Sequence, residues 1–210
     1  MYKILNSPWV YNLFQSIFGP GVNTKLTRLI SNFIPYLEHS ERILDIGCGP
    51  SSWLSRVGLS PIGLDICYSY IQRIASRGGK AILASADNLP FHSLCFDNVF
   101  SLGLLHHVPD VVAINIIREA IRVCKPGGFI ILIDNCWPKK FYHRPLAYLL
   151  RRLDRGKYVR TQNEFINLFP NPILWDTQRF TYSYNGLEGI ASWMVVREDG
   201  HRTDLSFINE

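Results

Sequence analysis

Asp45, Asp65 and Asp87 each stand at or just beyond the end of a short apolar run, and the first is followed at once by Gly47-Cys48-Gly49. Two glycines in G-x-G spacing let the backbone pass close to a ligand where any Cβ would collide. An acid ending the next run is what an α/β nucleotide site uses to hold a ribose diol. Asp87 lies further along than a dinucleotide site requires, and a site that reads an adenine as well as a ribose would use it. The full dinucleotide fingerprint also asks for a third glycine, and Ser52 occupies that place. His106 and His107 follow the fourth apolar run; an imidazole, with its ordinary pKa near ~6.5, can accept a proton at neutral pH. Adjacent residues point different ways, so at most one of the two faces a common pocket.

The elements that must carry these residues alternate. Ile43–Ile46 reads as a strand and Ser52–Val57 as helix; Pro61–Asp65 is followed by Tyr68–Arg77, and Ala81–Ala84 by the Asp87 loop. Phe96–Leu102 leads to an amphipathic helix over Val111–Val123, which Lys125-Pro126-Gly127-Gly128 stops before the apolar strand Phe129–Ile133. Ile173–Tyr184 and Gly189–Arg197 read as a hairpin turning at Asn185-Gly186. Strands alternating with helices require crossover connections. The expected fold is therefore α/β: a doubly wound, mostly parallel seven-stranded sheet with a C-terminal β-hairpin. Ahead of it, residues 8–38 have helical spacing, broken at Gly19-Pro20-Gly21, with Asn23 or Thr24 as cap of the second helix.

At 210 residues the chain suits one domain, with 1–40 as a helical N-terminal lid and 138–168 as a basic helical insertion. Apolar content of 47% and charged content of 19% exclude a disordered chain. The net charge of +5 permits an anionic partner and selects none. Five cysteines, odd in number and without a C-x-x-C pair, read as buried fillers in a reduced compartment. No run approaches the roughly 18 apolar residues of a spanning helix, and no secretion signal precedes the fold, so a cytoplasmic location is expected.

With the elements placed, the chain resembles the class I S-adenosylmethionine-dependent methyltransferases, in their small-molecule or type 11 group. The resemblance runs from Arg42 to Asn135 and rests on motifs in order. These are Asp45-Ile46-Gly47-Cys48-Gly49, Gly63-Leu64-Asp65, Ala86-Asp87-Asn88-Leu89-Pro90-Phe91, Phe96-Asp97-Asn98-Val99 with Leu104-Leu105-His106-His107-Val108-Pro109-Asp110, and Arg122-Val123-Cys124-Lys125-Pro126-Gly127-Gly128. It implies S-adenosyl-L-methionine as cofactor and no metal. Gly47 and Gly49 would fold under the methionine portion, whose carboxylate would meet N–H groups near the next helix start. Asp45 would orient that turn or receive the ammonium, and Asp65 would accept the ribose hydroxyls. Asp87 would take the adenine amino group while the backbone of Asn88 or Leu89 reads the ring edge, with Ile66 and Leu89 sandwiching the purine. Ser101 and Leu102 would approach the methionine end, and Tyr11, on the lid with Trp9, Phe14 and Gln15, would close over the cofactor. His106 and His107 are the candidate bases. Asp97 and Cys48 read as structural.

Between Lys139 and Arg160 stand Lys139, Lys140, Arg144, Arg151, Arg152, Arg155, Lys157 and Arg160 against Asp154 alone, with Tyr142, Tyr148 and Tyr158 interleaved. A connection leaving a parallel strand's carboxyl end lies beside the ligand crevice. These charges are expected to rim an acceptor site for a small-molecule, sugar or lipid substrate, anionic in character, and 139–160 could touch a membrane surface. Nucleic acid is not expected: Ser101-Leu102-Gly103-Leu104 lacks the Asn- or Asp-Pro-Pro-aromatic motif of base-flipping relatives, and no binding module is appended. Two other readings stay open: a non-catalytic cofactor-binding or partner-stabilising subunit of the same fold, and an NAD-dependent oxidoreductase.

Overall fold

The computed structural model describes residues 21–139, 142, 144–152 and 156–197. Seven strands, β1 (Ile43–Ile46), β2 (Ile62–Asp65), β3 (Lys80–Leu83), β4 (Asn98–Leu102), β5 (Phe129–Cys136), β6 (Asp176–Thr181) and β7 (Glu188–Val195), form one sheet in the order β3-β2-β1-β4-β5-β7-β6. The neighbours from β3 to β5 are parallel, and β7 runs antiparallel to both β5 and β6. This is the doubly wound sheet and hairpin expected from the alternation of segments. The sheet order reverses between β1 and β4, which puts a crevice at the carboxyl ends of those strands.

Alternation along the strands feeds a core on each face. Leu44, Ile46, Val99, Ile130 and Leu132 pack with Ala113, Ile116, Ile117 and Ala120 of the long helix Asp110–Val123. Ile43, Phe100, Ile131, Ile133 and Trp193 pack on the other face with Leu26 and Ile30 of the helix Val22–Ser31, and with Phe33. These two helices are α5 and α1 below; α2 is Ile34–Leu37, α3 Trp53–Arg56, α4 Tyr68–Ala75, α6 Pro145–Arg152 and α7 Gln162–Ile166. Trp193 meets Phe33 edge-on at 5.4 Å, so the hairpin's tryptophan is core.

Several boundaries differ from expectation for local reasons. Asn23 and Thr24 do not cap α1; they lie in its first turn, and Gly21, at φ +83°, is the capping residue. β4 begins at Asn98, because Phe96 makes only a single bridge, to Cys124. β6 starts late because Pro172–Leu174 forms a 3-10 turn. Among the described residues, the insertion over 138–168 holds two short helices, and Thr161 opens the second with a capping box to Glu164.

Candidate active site

The turn after β1 folds back over the end of β2. Gly47 and Gly49 sit at φ +70° and +62°, a left-handed backbone that a residue with Cβ adopts only with strain. That conformation turns the N–H groups of Gly47 and Cys48 onto the Leu64 carbonyl, at 2.7 and 3.1 Å, and the Gly49 N–H onto Asp65 Oδ2 at 3.0 Å. Asp65 Oδ1 accepts from the Cys67 N–H at 2.8 Å. These three N–H groups of the turn are therefore committed inside the protein. Leu54, near the start of α3, likewise gives its N–H to Ser52 Oγ. Beside Gly49 the direction a Cβ would take is open space.

Asp45 lies under this turn, 2% exposed, with Ser52 hydrogen-bonded to its carboxylate. Burial pushes its pKa up to about 7, with the Asp65 charge nearby adding to the rise. Burial also raises Asp65 above the ordinary carboxylate range, against its backbone hydrogen bonds to Cys67, Gly49 and Ile66. One strand over, the Ala84 N–H bonds the Asp65 carbonyl, so the Asp87 loop leaves beside Asp65. Asp87 Oδ1 accepts from Ser85 Oγ. Ile66 is 76% exposed at the end of β2, and Asn88 is exposed.

Three expected contacts fall elsewhere, and a fourth lies outside the described residues. Leu89 is buried in the core; its N–H goes to Glu119 Oε2 at 2.7 Å and its carbonyl accepts from Arg122 at 3.2 Å, so neither its side chain nor its backbone is presented to a ligand. Ser101 is buried with its hydroxyl on the Ile46 carbonyl at 2.9 Å, stitching β4 to β1. Leu102 packs against the core on the α1 face. Tyr11, with the rest of the lid up to residue 20, lies outside the described residues. Asp97 is structural, as expected: it holds the Arg42 N–H and Lys125 Nζ, and the lysine lowers its pKa. Burial raises the thiols of Cys48, Cys124 and Cys136, the latter two to about 12 and about 11, so all three are inert fillers.

The two histidines differ in burial but do not point apart, since their ring centroids lie 4.0 Å from each other. His107 is exposed, whereas His106 is 5% exposed beneath the 3-10 turn Leu105–His107. Sequence reasoning missed what surrounds His106. Asp134 and Asn135, at the end of β5, reach it with Oδ1 at 2.5 Å from Nδ1 and Nδ2 at 3.2 Å from Nε2. Both stand just past the apolar run read as Phe129–Ile133, at positions given no role. No local signal marks them, because the contact exists only once β4 and β5 are neighbours.

The basic insertion also turns inward. Arg160 is buried, bonding Asp110 at 2.7 Å and the carbonyls of Leu105 and Val108 at 2.7 and 2.9 Å. Arg151 is buried against Tyr182 Oη and the Glu188 carbonyl, and Arg144 pairs with Glu188 at 3.1 Å. These three guanidinium groups bind the insertion to the fold and do not rim a crevice. Lys139, Arg152 and Lys157 are exposed; Lys140 and Arg155 lie outside the described residues.

The donor set suits the ligand the resemblance implies. A buried carboxylate held near 7 is one that an ammonium would ionise, the free space at Gly49 admits a chain passing close, and exposed Ile66 and Asn88 flank the place where a purine would follow a ribose on Asp65.

Comparison with known proteins agrees. Residues 44–132 match a methyltransferase domain family. The chain is 34% identical over 149 residues to the 27-O-demethylrifamycin SV methyltransferase of Amycolatopsis mediterranei, covering 62% of this chain and 54% of that one. It is 30% identical over 135 residues to the tRNA (carboxymethyluridine(34)-5-O)-methyltransferase of Arabidopsis thaliana, covering 61% of this chain and 33% of the other. The chain thus spans about a third to a half of the length of these two relatives. A Thermotoga maritima structure described as a possible histamine N-methyltransferase superposes with a TM-score of 0.68 over 94% of this chain and 100% of its own, at 17% identity, a likeness of fold. The ordered motifs, the sheet order and the methyltransferase-domain match over residues 44–132 support a class I S-adenosylmethionine-dependent methyltransferase.

Proposed function

We propose that the protein transfers a methyl group from S-adenosylmethionine to a small-molecule acceptor. The observation that carries this reading is the left-handed glycine turn closing onto Asp65 above the buried Asp45. In it, Asp65 accepts the ribose hydroxyls, Asp45 receives the ammonium, and Asp87 with Asn88 reads the adenine. When bound, the cofactor supplies an electrophilic methyl group with a good leaving group. What remains for the protein is alignment and exclusion of water, and alignment alone can supply up to about 7–11 kcal/mol. His106 stands at the carboxyl edge of β4, where a base would serve a protic acceptor.

A small acceptor is favoured over nucleic acid because Ser101 and Leu102, where a base-holding motif would project, are turned into the fold. With Arg144, Arg151 and Arg160 consumed internally, the case for an anionic acceptor narrows to Lys139, Arg152 and Lys157. α6 favours a sugar- or lipid-like acceptor approached at a membrane surface, since Leu146 and Leu149 are 51% and 54% exposed on it beside Arg152. Among the described residues no helix is long and apolar enough to cross a membrane.

Titration calorimetry tests the reading. S-adenosylhomocysteine should bind and NAD should not. Because a hydrogen bond to a sheltered charge is worth about 1.5–3 kcal/mol, Asp65→Ala should weaken binding by at least about tenfold while the variant stays folded. Equal affinity in the variant would argue against the assigned role, and preference for NAD would favour the oxidoreductase.

A further inference from the structure

α6 is turned inside out. A surface helix ordinarily sends its leucines into the core and its arginines into water. Here Ala147 and Arg151 are the buried positions, and Arg144, just ahead of the helix, points the same way. Acceptors meet the inward cations. Arg144 gives N–H bonds to Thr181 Oγ1 at 2.9 Å and the Gly186 carbonyl at 3.1 Å, and Arg151 donates to Tyr182 Oη at 2.8 Å and the Glu188 carbonyl at 2.9 Å. Positions three and four apart share a helix face, so seating 144, 147 and 151 against the hairpin turns Leu146 and Leu149 out into water. Exposed Tyr142 stands just before the helix. A Cβ on Gly186 would lie 3.8 Å from Ala147 Cβ, so the hairpin turn that carries exposed Tyr184 abuts α6 as well.

Area and charge decide what such a face meets. α6 has eight residues, so it is about 12 Å long and about 10 Å across. Its outer face offers on the order of 120 Å², against the roughly 800 Å² per partner of a stable protein interface. Exposed Arg152 continues the leucine stripe, and exposed Lys139 and Lys157 lie on the segments before and after the helix. No acidic residue stands among the described residues of 139–160. Two copies of this face would bring like charges together. An anionic bilayer suits both features, because shallow insertion of apolar side chains needs no minimum area and basic residues near the surface are drawn to acidic headgroups.

We propose that α6, with Lys139, Arg152 and Lys157, seats the protein on an anionic bilayer. The position couples docking to the site. The chain leaves β5 at Cys136 and passes Trp137 into this segment, and Arg151 and Tyr182 link the inner face of α6 to Asn135 beside His106. The docking helix therefore adjoins the half of the crevice proposed for the acceptor. The acceptor class that follows is an amphiphile drawn from the bilayer; this class rests on the methyltransferase reading above, whereas the docking does not.

Sedimentation of the intact protein with extruded vesicles tests the proposal. Binding to phosphatidylcholine containing phosphatidylserine should exceed binding to phosphatidylcholine alone by at least about tenfold, and should fall as salt rises. Leu146→Ser with Leu149→Ser should lower binding to the anionic vesicles by at least about tenfold, with the circular dichroism spectrum and the S-adenosylhomocysteine affinity unchanged. Arg152→Gln should lower it by about fivefold. A wild type that binds neither vesicle, or a double serine variant that binds as the wild type does, overturns the proposal. So does a wild type that is dimeric by light scattering and becomes monomeric in the double variant, which would give the face to a second copy. A wild type that binds anionic vesicles but no S-adenosylhomocysteine supports the docking and sinks the methyltransferase reading.

Discussion

Asp45 is the residue whose energetics are most telling. Its folded pKa of about 7 lies above the 3.8 of a free aspartate, so between roughly pH 4 and pH 7 the folded protein keeps a proton that the unfolded chain has released. That group's contribution to stability is complete below pH 4 and fades as pH rises to 7, by up to about 1.4 kcal/mol per pH unit. Denaturant midpoints should show this fall, and Asp45→Asn should flatten it. If the carboxylate receives the ammonium, binding ionises it. Calorimetry at pH 6 in buffers of different ionisation enthalpy should then report proton release on binding of S-adenosylhomocysteine, absent in Asp45→Asn. That Asp45 and Asp65 stand within the last two residues of their strands was legible in the sequence, because the apolar runs that carry them are short and sharply bounded. Leu89 and Ser101 were misread, since which way a side chain faces near a strand end is settled by packing against α5 and by pairing with β1.

Elements explain what single residues do not. The insertion's final segment is strapped to the molecule by Arg160, by Trp137 N–H and Nε1–H bonds to the carbonyls of Arg160 and Val159 at 3.0 and 2.9 Å, and by Tyr158 on His106. Arg160→Met should loosen the strap alone. Amide exchange at Tyr158 and Trp137 should accelerate by at least about tenfold, the loss expected for one hydrogen bond to a charge, while β1 and β4 stay protected. Uniform acceleration throughout the sheet would mean that the segment is integral to the core. The sequence marked this region as basic and took the charge for a ligand's. Its partners, Asp110 and Glu188, are about 50 and 40 residues away along the chain, and spacing carries no trace of them. A second tight joint lies where α5 ends: a Cβ on Gly128 would stand 2.0 Å from the Asp97 carbonyl oxygen. Gly128→Ala should cost roughly 3 kcal/mol and lower the melting midpoint by about 6–12 °C.

At the scale of the whole molecule, the alternation of apolar runs was enough to foresee a parallel sheet closed by an antiparallel hairpin, because crossover connections leave few alternatives. The same topology puts the ends of β1, β2 and β3 on one side of the switch point, with the Asp45, Asp65 and Asp87 carboxyl groups, and the ends of β4 and β5 on the other, with His106 and Asp134. On the proposed function, cofactor side and acceptor side would be separate halves of one edge, which is what an in-line transfer between two ligands needs. A crystal structure grown with S-adenosylhomocysteine tests this division most directly. The account predicts the ribose hydroxyls on the Asp65 carboxylate, the adenine beside Ile66 and Asn88, and the sulfur turned toward His106. A nucleoside bound away from Asp65, or a sulfur facing away from the β4–β5 half, would contradict it.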